Sequence, residues 1–447
     1  MTGAPLGWLG IVRLGLVQTA LGAIVVLTTS TLNRVMVVEL ALPAVLPGAL
    51  VALHYAVQIL RPRLGYGSDV SGRATPWIIG GMATMCAGGL LAALATAWMT
   101  TNHWAGIALA TLAFLMIGIG VGASGTSVLV LLAKRVVDER RAAAATIVWL
   151  MMIAGIAVTA GIAGSLLDPF SPTRLVAVAG GVVVFAFVLT LLAVWGVERG
   201  SHATTSTQAG TKAPFLEALA QVWAEPEARR FTIFVFVSML AYSAQDLILE
   251  PFAGLVFAMT PGESTKLSGV QHGGVLLGMI AVALAGSLGR GRLGSLRTWT
   301  IGGCLASAVM LACLACAGFV GPTWPLRPTV LGLGMANGAF AVAAIGSMMG
   351  LAGAGREARE GVRMGLWGAA QAIAFGLGGL SGTVAADVAR YLMGSPDIAY
   401  GTVFAGQAVL FVISAVLAAG MGNATPSRVT ADSPLAGARY AAGLGGR

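Results

Sequence analysis

Long apolar runs recur from one end of the chain to the other, separated by short breaks that carry charge, Pro or Gly. Crossing the hydrocarbon core of a membrane takes about 20 apolar residues of helix. Twelve runs meet or approach that length, at 12–34, 43–62, 76–98, 105–133, 143–167, 174–196, 231–257, 268–289, 298–320, 328–354, 362–388 and 399–421. They lack the alternation of a membrane strand, and backbone in lipid must satisfy its own hydrogen bonds, so the pattern predicts helices and excludes a β-barrel. The first run begins after little positive charge and has no small-residue cleavage site before Asn33, which reads as a retained helix rather than a signal peptide.

Composition agrees with an all-α membrane protein. Hydrophobic residues make up 57% of the chain and charged residues 10%, against roughly 25% charged in a soluble domain. The net charge of +9 follows from sidedness and does not call for nucleic acid. On a twelve-helix map, all but five of the 26 Lys and Arg fall on one side, the exceptions being Arg34, Arg174, Lys266, Arg327 and Arg390. Positive charge concentrates on the cytoplasmic side, so both termini are expected there. Cys86, Cys304, Cys313 and Cys316 all lie within predicted spans, where they act as small hydrophobes and not as a disulfide framework.

The longest break divides the chain into a first half, 1–197, a linker, 198–230, a second half, 231–422, and a tail, 423–447. The Ser/Thr/Gly-rich part of the linker has the composition of a flexible connector. Behind Pro214, the residues Phe215, Leu216, Leu219, Val222 and Trp223 share one helical face, which fits either a short interfacial helix or a segment packed on the bundle. The halves resemble each other. Arg141 and Arg359 each precede a tryptophan, Trp149 and Trp367, at the same spacing, and an acid follows in each case, Asp168 and Asp387. Gly118-x-x-x-Gly122 in the fourth run matches Gly334-x-x-x-Gly338 in the tenth, a spacing that lets helix backbones approach closely.

After the second run comes Gly65-x-x-x-Asp69-x-x-Gly72-Arg73, which resembles the loop signature of the major facilitator superfamily. Val70 and Ala74 stand where that signature has Arg, and the corresponding loop of the second half lacks the Asp. The resemblance implies a major-facilitator fold of twelve helices in two pseudo-symmetric six-helix halves, with the loop in a gating or structural role. Charge inside a span is costly, about 2.5–3.5 kcal/mol on insertion scales. The intramembrane polar residues Asn33, Arg34 and Glu39 of the first run and Gln245, Asp246 and Glu250 of the seventh are therefore expected to form one network, with Arg34 paired to Asp246 or Glu250. The chain carries no Walker, His-Glu-x-x-His or Gly-x-Ser-x-Gly element, which argues against an ATPase or hydrolase.

Four segments narrow the resemblance: TLNRVMVVELALP from Thr31, LHYAVQILRPRLGYGSD from Leu53, AQDLILEPFAGLVFAMTPGESTKLSG from Ala244 and GLWGAAQAIAFGLGG from Gly365. These resemble the PucC/LhaA family of bacteriochlorophyll-delivery and light-harvesting-complex assembly proteins. The resemblance implies a non-enzymatic assembly factor in a bacterial inner, photosynthetic membrane. Its partners would be antenna polypeptides, bacteriochlorophyll or its synthesis enzymes, and lipid, with bacteriochlorophyll as a transient ligand. His54, Gln58, Trp367 and Gln371 are candidates to touch such a pigment, His54 through an imidazole nitrogen on magnesium. A hydrogen-bonded interior histidine is the other reading of His54. Secondary transport of a tetrapyrrole or another solute by alternating access is the alternative function.

Overall fold

The structure is a computed structural model that describes residues 6–61, 64, 73–198, 223–288, 295–353 and 360–421. Twelve helices follow in order: α1 Trp8–Glu39, α2 Val45–Leu60, α3 Thr75–Trp98, α4 His103–Arg135, α5 Asp138–Leu167, α6 Pro172–Val194, α7 Pro226–Phe257, α8 Pro261–Leu288, α9 Leu296–Val320, α10 Leu326–Gly353, α11 Glu360–Met393 and α12 Pro396–Ala419. Among the described residues eleven are long and apolar enough to cross a membrane, and α2 is shorter. There are no strands among them. The chain is thus a multi-pass helical membrane protein.

Each half has its own core. One apolar cluster is built on α1 to α6 and includes Ile24, Met82, Phe114 and Val183; a second is built on α7 to α12 and includes Phe234, Phe252, Phe340 and Phe411. Lipid tails are as apolar as leucine, so close packing and polar contacts hold membrane helices together. The glycine pairs supply that packing. A Cβ on Gly118 of α4 would lie 2.7 Å from the His54 carbonyl of α2, and one on Gly338 of α10 would run into the Val275 carbonyl of α8. Helix four against two in the first half repeats as ten against eight in the second, so the spacing read from sequence marks the same backbone contact twice.

Helix ends differ from the hydropathy pattern where polar residues are buried. The eighth helix starts at Pro261 rather than 268, because its polar first turns pack against α5: Ser264 and Thr265 are fully buried, and Gly164 abuts the Gly262 carbonyl. Similarly, α1 runs on to Glu39 through two π-helical turns, Leu27–Thr31 and Val35–Glu39, on either side of Asn33 and Arg34. A π turn inserts a residue and re-aims the side chains beside it. Both α1 and α7 end on an alanine in the left-handed region, Ala41 at φ 51° and Ala258 at φ 52°. In each the next amide reaches six residues back, Leu42 to Met36 at 3.0 Å and Met259 to Ala253 at 3.2 Å.

Candidate functional site

Two groups of contacts join the halves, the first polar and the second aromatic. The first lies at the end of the bundle opposite the termini. Pro251 within α7 has no N–H, so the Leu247 carbonyl four residues earlier loses its helical donor. The Asn33 side chain of α1 fills that vacancy, donating from Nδ2 to the Leu247 oxygen at 2.6 Å. One residue on, Arg34 donates from Nη2 to the Met259 carbonyl at 2.6 Å, in the turn that ends α7. Thr31 and Thr265 meet oxygen to oxygen at 3.2 Å between α1 and α8.

Two carboxylates complete this group. Asp387 of α11 accepts from the Ala44 and Val45 amides at 3.0 and 2.8 Å, at the start of α2. Asp168, just after α5, accepts from the Gly262 amide at 3.1 Å and the Thr260 hydroxyl at 2.7 Å, at the start of α8. The first amides of a helix lack intrahelical partners and carry partial positive charge, so a carboxylate there is doubly favoured. Thr260 and Glu263 also cap α8 reciprocally, Glu263 accepting from the Thr260 amide at 3.0 Å and Thr260 Oγ1 from the Glu263 amide at 3.2 Å. Helix five caps eight and helix eleven caps two: one device, applied twice across the pseudo-twofold. The repeated acids noticed in the sequence are these caps, half-buried at the rim.

The expected ion pair is different. Arg34, 2% exposed, pairs with Glu39 on its own helix, not with Asp246 or Glu250. The π turn spanning Val35–Glu39 brings the two together within α1. Glu250, also 2% exposed, makes no ion pair among the described residues and has the Ser268 hydroxyl and the Arg34 charge beside it. Gln245 is buried with both amide atoms unpartnered among those residues. The six polar residues therefore do not form one side-chain network: Asn33 and Arg34 cross to backbone carbonyls, and Asp246 turns elsewhere.

That second place is the middle of the bundle. Asp246 Oδ1 accepts from Gln271 Nε2 of α8 at 3.2 Å. One turn before it, Tyr242 meets Phe375 of α11 edge-on at 5.9 Å and lies tilted 6.3 Å from Phe340 of α10. Phe375 lies 5.5 Å from Tyr55 of α2, so the aromatic surface crosses from one half to the other. Ser243 fixes α7 to α11 here by donating to the Phe375 carbonyl at 2.7 Å. Tyr55, Tyr242, Phe375 and Asp246 are half-buried, and on α7 the residues between and around Tyr242 and Asp246 are buried. Tyr55, Tyr242, Gln271 and Phe375 were not expected from the sequence, since a single aromatic or amide in an apolar run carries no signal by itself.

The residues named as pigment contacts are dispersed. His54 is 4% exposed and its Nε2 lies 3.0 Å from Gln58 Nε2. Arg61 donates to Gln58 Oε1, so the Gln58 nitrogen is the donor to histidine, which holds the neutral ring with its proton on Nδ1. The Nε2 lone pair is occupied, and the hydrogen-bonded interior reading of His54 describes this arrangement. Trp367 is 1% exposed and packs edge-on to Phe231 at 4.9 Å, inside the second core. Gln371 touches Met239, its Nε2 3.9 Å from the sulfur. Of the loop motif, Gly65, Asp69 and Gly72 lie outside the described residues, as does most of the linker face behind Pro214, while Arg73 is described and is not without a partner. The four cysteines are free.

Solved structures of a nucleoside transporter, NupG, and of a bacterial homolog of the human lysosomal transporter Spinster superpose with TM-scores of 0.65 and 0.66. Each is 14% identical; the first match covers 92% of this chain and 98% of that one, the second 91% and 95%. At this identity the likeness establishes the fold, which is the major-facilitator fold. In sequence, the chain is 56% identical over 417 residues to the "Bacteriochlorophyll synthase 44.5 kDa chain" of Rhodobacter capsulatus, covering 93% of this chain and 96% of that one. It is 30% identical to "Protein PucC" of Cereibacter sphaeroides, over 88% and 86% of the two chains. The model of the PUCC protein family matches residues 31–425, and the chain belongs to that family.

Proposed function

We propose that the protein is an assembly factor for light-harvesting antenna complexes, binding or delivering bacteriochlorophyll to antenna polypeptides from the inner membrane of a photosynthetic bacterium, with both termini cytoplasmic. The observation that carries this reading is membership of the PUCC family together with 56% identity, nearly end to end, to a relative whose name joins it to bacteriochlorophyll. That name calls the relative a synthase chain. Handling of pigment rather than its synthesis fits the bundle, since Arg34 is paired with Glu39 and Asp168 and Asp387 are engaged as helix caps. A bundle with little interior charge and a cross-half aromatic surface suits a large, flat, mostly apolar ligand, which needs few polar groups to orient it.

Alternating-access transport is the second reading, favoured by the fold and by Asp246, a half-buried acid within α7. Purification of the tagged protein in mild detergent from its native membrane separates the two. Co-elution of bacteriochlorophyll and antenna polypeptides supports assembly. A colourless, partner-free protein that drives solute uptake into proteoliposomes supports transport.

A further inference from the structure

We infer that a buried amide cluster inside the second half, Gln245 of α7, Asn337 of α10 and Gln407 of α12, is an internal binding site for ordered water that joins these helices. The inference goes beyond the reading above and stands whatever the bundle handles. Gln245 and Asn337 have no exposure and Gln407 is 3% exposed. Ser307 of α9 donates to Asn337 Oδ1 at 2.9 Å. Five amide atoms are left without a partner among the described residues: Asn337 Nδ2, and both the nitrogen and the oxygen of Gln245 and of Gln407. Buried polar groups are destabilising when unpaired, and native proteins pair them with protein or with ordered water.

The three amides share one level. Helix α7 runs away from the termini, and α10 and α12 run back towards them. Aromatic rings mark a common tier, with Tyr242 of α7 6.3 Å from Phe340 of α10 and Phe340 5.6 Å from Phe411 of α12. Gln245 stands three residues after Tyr242, Asn337 three before Phe340 and Gln407 four before Phe411. At about 1.5 Å of rise per residue, all three lie about 4.5–6 Å to the outer side of that tier. Their faces converge as well. Gln245 is two turns before Phe252, on the α7 face that meets Phe404 of α12 at 5.1 Å. Gln407 lies one turn from both Phe404 and Phe411 on the buried face of α12.

The chemistry of the free atoms selects the ligand. Three amide nitrogens and two carbonyl oxygens present more donors than acceptors, so a cation would meet N–H groups, whereas water both accepts and donates. None of the four side chains is charged, so an ion of either sign would be buried without compensation. Both glutamines are unbranched, and a small turn of either amide opens the room that one water needs.

The test is X-ray radiolysis of the full-length protein in detergent, with oxidised side chains read by mass spectrometry. Radiolysis makes hydroxyl radicals wherever water stands, so a buried ring beside bound water is oxidised although bulk water does not reach it. In wild type Phe340, Phe404 and Phe411, none of them exposed, should be oxidised several-fold faster than Phe231 and Phe234, buried rings at the inner end of α7. Gln245→Met with Asn337→Leu and Gln407→Met lines the site with apolar groups of similar size and should bring all five rings to one slow rate. Gln407→Met alone strands the remaining partners and should lower the melting temperature by a few degrees, which the triple variant should recover. Should the triple variant fail to insert, Gln245→Met with Gln407→Met carries the same expectation. The inference is overturned if Phe340, Phe404 and Phe411 are oxidised no faster than Phe231 and Phe234 in wild type, or if their rate survives the apolar substitutions. Replacing sodium chloride by choline chloride should change neither the rates nor the melting temperature; a stabilisation by sodium that the glutamine variants lose would overturn water in favour of a cation.

Discussion

Asn33 and Pro251 illustrate how one residue's missing group is another's reason to be there. Proline removes a donor from α7, the Leu247 carbonyl is left open, and Asn33 of the other half closes it at 2.6 Å. Interhelical hydrogen bonds in membranes average about 0.6 kcal/mol, up to about 1.7. Asn33→Ala should therefore lower the melting temperature in detergent by a few degrees. Pro251→Ala restores the helical N–H, so in that background the same N33A change should cost markedly less, and equal costs in both backgrounds would show that the two residues are not coupled. At Arg34 the expectation is asymmetric. Removing one member of a buried pair strands the other's charge, so Arg34→Ala should impair expression and antenna assembly more than Arg34→Ala with Glu39→Ala; a double variant worse than the single would refute the pairing. Sequence placed both residues inside the membrane but chose the wrong partner for Arg34, because spacing along a regular helix does not reveal a π turn.

Between helices, the information in the sequence was uneven. The glycine spacings of α4 and α10 and the paired acids Asp168 and Asp387 were visible as repeats, and the structure gives them their contacts. The first turns of α8 were missed, since PGESTKLSG reads as a polar loop until the neighbouring α5 buries it. Two positions on α5 make a matched test. A Cβ at Gly164 would lie 2.6 Å from the Gly262 carbonyl of α8, whereas nothing stands within 4 Å of one at Gly161. Gly164→Ala should destabilise by about 1–3 kcal/mol through overpacking, while Gly161→Ala should be neutral or gain up to about 1 kcal/mol in helix propensity; the reverse order in thermal unfolding would contradict the α5–α8 contact. The caps are tested by access. Thr383 is fully buried beneath Gly48, next to the Asp387 cap. In a background without the native cysteines, a thiol placed at Thr383 should react with a soluble maleimide about tenfold faster when Asp387→Asn is added, if the cap contributes about 1.4 kcal/mol to holding the halves together. An unchanged rate would mean that other contacts hold this end closed.

At the scale of the molecule, hydropathy and charge were enough for twelve helices in two halves, and a few short strings were enough for the family. The centre was not legible. It is assembled from Tyr55, Tyr242, Asp246, Gln271 and Phe375, which are far apart in the chain and unremarkable where they stand, and which meet because α2, α7, α8 and α11 converge. The candidates that did stand out, His54 and Trp367, proved to be occupied in packing and internal hydrogen bonding. A fold shared with transporters does not decide what this bundle does.

The central claim is that the molecule serves the antenna, and the most direct measurement is the near-infrared absorption spectrum of membranes from a strain lacking it, beside the parent and a strain carrying the gene back. The account predicts that an antenna band falls away in the deletion strain and returns on complementation, with pigment synthesis itself continuing. An antenna spectrum identical to that of the parent would contradict it.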